Sequence, residues 1–216
     1  MSKALTILDY GAGNLTSVRL AFARLGAEAT LITDASQALP DGPIVFPGVG
    51  SAKSGMTALR SRGFDQLLRD AVAAGRPVLG ICLGMQLLFE FSEEDGGQEA
   101  IGLLSGKCRL FDFGNDHALK VPEMGWNAVN FPTNRPAHFC FNGIPDGTAF
   151  YFVHSYYAMA THEGEIAGST EYGGLHFTSA AAKGSLFATQ FHPERSGEMG
   201  LRLLNNFLNW EPGQSC

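Results

Sequence analysis

The run Pro77-Val78-Leu79-Gly80-Ile81-Cys82-Leu83-Gly84-Met85-Gln86-Leu87-Leu88 is apolar, carries a cysteine between two glycines, and then continues at helical spacing. It predicts a strand, a sharp turn and a helix, the flanking glycines granting the turn backbone angles that a side chain would forbid. Such a turn lifts Cys82 out of a sheet and sets it at the start of the helix, where the helix dipole favours thiolate over thiol. The bland alternative is a core cysteine, since free cysteine is among the most buried residue types. The two glycines, with Gln86 one helical turn further on, favour the nucleophile.

Strand and helix patterns alternate before this run. Ala4-Leu5-Thr6-Ile7-Leu8 predicts a buried strand, Asn14 a helix cap, and Leu15 to Leu25 a helix stopped by Gly26. Further strands are expected at Glu28 to Ile32 and at Ile44-Val45-Phe46, the latter running into the turn Pro47-Gly48-Val49-Gly50-Ser51. Phe64, Leu67, Leu68, Ala71 and Val72 mark one helix face at i, i+3, i+4, i+7 and i+8, ended by Gly75 and Pro77. This rhythm predicts an α/β fold, a mainly parallel open sheet with helices on both faces and functional residues at the carboxyl ends of its strands.

From about Leu103 the rhythm changes. Lys107 to Phe111, Ala128 to Phe131, Ala149 to Val153 and Leu186 to Phe191 predict short strands, an added antiparallel β-rich part in the second half. The segments Gly114-Asn115-Asp116-His117 and Pro132-Thr133-Asn134-Arg135-Pro136 read as loops. Ser196 is placed to cap a final helix with the stripe Leu201, Leu204, Phe207 and Leu208. At 216 residues the chain fills one core, so a single domain over 1–216 is expected.

A thiolate needs a base. His192, in Gln190-Phe191-His192-Pro193-Glu194-Arg195, precedes a proline that biases it towards extended backbone, where residues i and i+2 point to the same side. Glu194 can therefore orient His192. Taken alone, His-Pro-Glu reads as a solvated strand end, but joined to the cysteine elbow it completes the Cys/His/acid logic of acyl transfer. The glycine turn at 47–51 could supply the backbone donors that this chemistry aims at an oxyanion, although any strand-to-helix turn can be glycine-rich.

Other chemistries find less support. The net charge of −6 and the scattered lysines and arginines argue against a nucleic-acid surface. Gly11-Ala12-Gly13-Asn14 invites a dinucleotide reading, but Thr16 stands at the third glycine position. His138 and Cys140 have no second Cys/His pair to answer them, so no metal is expected, and no cofactor. Cys82, Cys108, Cys140 and Cys216 are too irregularly spaced to predict a disulfide frame. With no signal-peptide pattern after Met1-Ser2-Lys3 and no apolar run of about eighteen residues, a cytoplasmic protein without membrane contact is expected.

Gly80 to Gln86, His192-Pro193-Glu194 and Phe46 to Ser51 together resemble a class I (triad) glutamine amidotransferase. More narrowly, Asp9 to Leu15, Val121 to Asn127 and Tyr151 to Tyr157 are similar to the amidotransferase subunits of imidazole glycerol phosphate synthases, and the likeness runs from about Asp9 to Trp210. The resemblance implies Cys82, His192 and Glu194 as the triad, oxyanion donors near Gly50 and at Leu83, and glutamine held by Gly50, Gln86 and the backbone of Ser155 and Tyr156. It implies a (βα)8-barrel cyclase partner in a heterodimer, docked through Asn14, Glu123, Trp126 and Arg195. That partner would turn the ammonia into imidazole glycerol phosphate and an aminoimidazole carboxamide ribonucleotide in histidine biosynthesis. Glu123 stands where the family usually has histidine, Arg195 where it has lysine and Ala52 where phenylalanine is common, departures that bear on docking. The alternatives are a paralogous subunit serving a related partner in sugar biosynthesis, a stand-alone γ-glutamyl cysteine hydrolase, and a catalytically idle module.

Overall fold

The computed structural model describes residues 3–11, 15–37, 39–114 and 119–213, so Asn14, the loop residues 115–117 and Cys216 lie outside the described residues. The first half runs β1 (Lys3–Leu8), α1 (Leu15–Arg24), β2 (Ala27–Ile32), β3 (Ile44–Gly48), α2 (Ala52–Ser61), α3 (Phe64–Ala73), β4 (Val78–Cys82) and a single helical turn α4 (Leu83–Gln86). Side chains alternate along β1 and serve both faces of the sheet. Leu5 and Ile7 join Val18 and Phe22 of α1 on one side, while Leu8 joins Met56, Leu59 and Leu68 on the other.

Helix α2 is absent from the periodicity-based expectation. Its buried face, Ala52, Gly55, Met56 and Leu59, has helical spacing, but two of those four side chains are too small to register as apolar. Ser51 caps it, accepting from Ser54 N at 3.4 Å.

The second half adds β5 (Phe91–Ser92), β6 (Gln98–Glu99), β7 (Gly106–Leu110), β8 (Glu123–Val129), β9 (Thr148–His154), β10 (Tyr156–Ala160), β11 (Ile166–Tyr172), β12 (Leu175–Lys183), β13 (Leu186–Thr189) and α5 (Gly197–Leu208). Among the described residues, one eleven-stranded sheet has the order β2-β1-β3-β4-β13-β12-β10-β7-β5-β6, with β11 paired to β12. Strands β8 and β9 form a separate antiparallel ribbon, bridged to the main sheet at Asn130 and Ser169.

Three expectations need correction. The run from Leu186, expected among the antiparallel additions, is β13, parallel to β4 and antiparallel only to β12. The reversal at Gly184 explains it: a hairpin partner of a strand antiparallel to the core must itself run with the core. On α5 the buried stripe includes Leu203, and Leu201 is only half-buried. Ser196 stands at the head of α5 but does not cap it; its hydroxyl donates to His192 O at 2.7 Å and accepts from Tyr151 N at 3.0 Å. No helix among the described residues is long and apolar enough to cross a membrane.

Candidate active site

Three neighbouring parallel strands end together. Gly48 of β3 pairs with Cys82 of β4, and Ile81 of β4 pairs with Thr189 of β13, three residues before His192. The glycine turn, the cysteine and the histidine thus leave the sheet at adjacent carboxyl ends, the edge where open α/β sheets place their sites.

At the elbow the strained residue is Cys82 itself, with φ 55° and ψ −113°. The expectation that its glycines relieve the backbone is corrected: neither Gly80 nor Gly84 has a positive φ. Gly84 is required by close approach, since a Cβ there would lie 1.9 Å from Phe46 O. The helix that follows Cys82 is one turn long, so the dipole expected to act on the sulfur is reduced to that of one turn's free N–H groups.

His192 Nδ1 lies 2.8 Å from Glu194 Oε1, and both side chains are buried. A carboxylate only accepts, so Nδ1 carries a proton and Nε2 is the nitrogen left to exchange one with the sulfur. Nε2 makes no hydrogen bond within the protein, yet Cys82 lies close enough to act on it electrostatically. Burial opposes charge on this imidazole, but Cys82 and Glu194 together hold its pKa up at about 10.

A cavity of about 340 Å³ opens over these groups. Gly50, Cys82, Leu83, Gln86, Ser155, Tyr156 and His192 all line it, and Glu194 stands behind His192. Gly50 has φ +102° with open space on its Cβ side, so glycine is needed there for conformation and not for room. Gln86 directs its amide nitrogen inward, to Tyr156 O at 2.7 Å and Gln190 Oε1 at 3.0 Å, while Gln190 Nε2 reaches Cys82 Sγ at 3.8 Å.

Sequence reasoning missed Glu94, His154 and Gln190. Glu94 lines the cavity and accepts from Ala52 N, at the start of α2, at 2.6 Å. Burial raises its carboxyl, against the lowering effect of that hydrogen bond. In Glu93-Glu94-Asp95-Gly96-Gly97 it reads as a solvated acidic turn, and only the fold turns it inward.

The residues expected on a docking face divide. Trp126 is 58 % exposed and meets the Tyr151 ring edge-on at 6.2 Å, and Arg195 lies over the same ring at 4.2 Å. Asn14 is outside the described residues. Glu123 is buried: three residues from Trp126 along β8, it points to the opposite side of the strand, towards His154. Its side chain therefore cannot belong to an exposed face.

Comparison with known proteins agrees with this geometry. The family model for glutamine amidotransferase class I matches residues 6–210. The chain is 45 % identical to the imidazole glycerol phosphate synthase subunit HisH of Methylococcus capsulatus, covering 98 % of this chain and 99 % of that one. It is 46 % identical to the subunit of the same description from Pseudomonas putida, over 97 % and 98 % of the two chains. Among solved structures, PurLQS from Thermotoga maritima matches with a TM-score of 0.75 at 18 % identity, over 97 % of this chain and 99 % of that one, a likeness of fold. The chain belongs to the class-I glutamine amidotransferase family.

Proposed function

We propose that this chain is a single-domain cytoplasmic glutaminase, the ammonia-producing subunit of an imidazole glycerol phosphate synthase, and that its partner is a (βα)8-barrel cyclase. The observation that carries the chemistry is the convergence of Cys82, an Nδ1-protonated His192 and buried Glu194 on one cavity. The HisH relatives support the assignment to histidine biosynthesis.

In this reading His192 Nε2, its pKa held up by Cys82 and Glu194, takes the Cys82 proton before the sulfur attacks the side-chain carbonyl carbon of glutamine. The oxyanion is met by the N–H of Leu83, first residue of α4, and by that of Gly50 once the turn presents it. His192 returns the proton to the departing nitrogen, ammonia leaves, and a γ-glutamyl thioester remains. Water, deprotonated by the same Nε2, cleaves it to glutamate and regenerates the thiol.

The cavity's other walls suit an amino acid. Tyr156 O accepts from both His154 and Gln86, which fills its acceptor positions, so the N–H groups of this segment are what it turns to a substrate, and they suit the α-carboxylate. Glu94 is the acidic group left to receive the α-ammonium. Glu94→Gln keeps an oxygen for Ala52 N but loses the charge. The KM for glutamine should rise ~10–100-fold, the worth of one charge-assisted hydrogen bond, with kcat changed far less.

A glutamine analogue bearing an electrophile at the side-chain carbonyl tests the assignment directly. It should modify one cysteine, Cys82, and excess glutamine should protect it. Cys108 and Cys140 should stay unlabelled, because both are fully buried and burial pushes their thiols up. Labelling that spares Cys82, or that glutamine does not slow, would refute the site.

A further inference from the structure

Apart from the triad, the described residues hold one buried carboxylate–imidazole contact. Glu123 opens β8 and His154 closes β9; they sit opposite each other in the ribbon, with Glu123 Oε2 3.0 Å from His154 Nε2. Their side chains are 4 % and 2 % exposed. Around the imidazole lie the rings of Phe111, Phe152 and Phe177, and among the described residues Glu123 is the one charged group that meets it.

The bonding on the far side of the ring determines where protons must be. His154 Nδ1 is 2.8 Å from Tyr156 O, and a carbonyl can only accept, so Nδ1 carries a proton. In a neutral ring Nε2 would then be bare, pressing a lone pair against a carboxylate oxygen. Neither Nε2 nor Oε2 has a hydrogen-bond partner, and two buried acceptors 3.0 Å apart repel. One further proton between them removes the conflict. Carried on Nε2, that proton turns the contact into a buried ion pair.

This contact continues into the substrate cavity. Tyr156 O, held by His154 from one side, takes Gln86 Nε2 on the other, which fills both of its acceptor positions. Gln86 also grips Gln190, which reaches the sulfur of Cys82. At the other end, Glu123 Oε1 accepts from Asn127 Nδ2 at 2.8 Å, within the strand whose opposite side exposes Met124 and Trp126.

We propose that Glu123 and a His154 protonated on both ring nitrogens form a buried ion pair and act as positioning residues for glutamine, tying the Tyr156 carbonyl and Gln86 to the β8–β9 ribbon. The proposal rests on the glutaminase reading for what the cavity binds. Movement of β8 against a docked subunit is passed across the ribbon to the wall that holds the substrate. Glu123 thereby serves the reaction from inside the fold, where its burial excludes it from the docking face.

Glu123→Gln tests the pair. A carboxamide keeps the shape but carries no charge, so the ion pair and the second proton it calls for are both lost. Nitrogen-15 NMR of histidine-labelled chain at neutral pH should show His154 protonated on both ring nitrogens in the wild type and on Nδ1 alone in Glu123→Gln, with the signal assigned by its loss in His154→Asn. In complex with the cyclase subunit, Glu123→Gln should raise the KM for glutamine about tenfold, the scale of one charge-assisted hydrogen bond, while kcat changes by less than about threefold. A merely structural residue would lower thermal stability without that split. A wild-type Nε2 without its proton, or an unchanged KM, would overturn the proposal. The spectrum is read on the isolated chain, so failure of the wild type to use glutamine overturns the functional reading while the NMR result still decides the pair.

Discussion

Cys82→Ala is expected to abolish glutamine-dependent synthesis by the assembled enzyme, with a loss on the order of 10⁴-fold or more, while ammonium salts still feed the cyclase. The size follows from the mechanism. Without the sulfur no thioester forms, and the oxyanion donors and binding groups that remain accelerate only the direct attack of water. The partner receives ammonia as such and is indifferent to its source. Product formation should be measured with glutamine and, separately, with ammonium salt; glutamine use undiminished by the substitution refutes the nucleophile. The same variant has a second readout. Cys82 helps to hold His192 protonated against burial, so removing the sulfur should lower the His192 titration from about 10. A raised folded-state pKa contributes stability that is fully present below the ordinary imidazole value near 6.5 and is lost as pH rises through the folded one. In Cys82→Ala that alkaline loss should be smaller and should be complete at lower pH.

The isolated chain is expected to hydrolyse glutamine very slowly, and to gain at least ~10²-fold when the cyclase subunit and its acceptor nucleotide are both present. Free glutaminase would waste glutamine, and the structure offers a place to prevent it. The turn at Gly50 is exposed, has φ +102° and has open space beside it, so its peptide can rotate without steric cost. Withdrawing one oxyanion donor costs about 10²–10³ in rate with the triad intact. Exposed Trp126 and Arg195, with half-buried Tyr151 between them, reach His192 directly: Tyr151 O accepts from His192 N at 2.9 Å, and Ser196 bridges Tyr151 N to His192 O. A partner seated on that group is therefore one residue from the histidine. Glutamate release should be followed from the chain alone, with the cyclase subunit, and with subunit plus nucleotide. Equal rates in all three would favour a stand-alone hydrolase.

What the sequence determined by itself is what local spacing encodes. The elbow at Cys82, the His-Pro-Glu turn and the alternation of strands and helices up to Cys82 are set by residues a few positions apart, where backbone preference and periodicity act. These singled out Cys82, His192 and Glu194, whereas Gly50, Ser155 and Tyr156 entered only through the family resemblance. Tertiary structure decided the rest, because the deciding neighbours are distant in the chain. Helix α2 buries residues at helical spacing, but Ala52 and Gly55 are too small to mark a face until packing shows it, with Leu83 and Leu87 against Gly55. The direction of β13 depends on the count of reversals before it. Glu94 becomes a cavity residue only when Ala52, 42 positions away, donates to it. Glu123 and His154 meet across a ribbon whose register no local rule specifies. Burial then makes a charged pair the arrangement in which the two groups satisfy each other, whereas in an exposed pair the solvent would satisfy both.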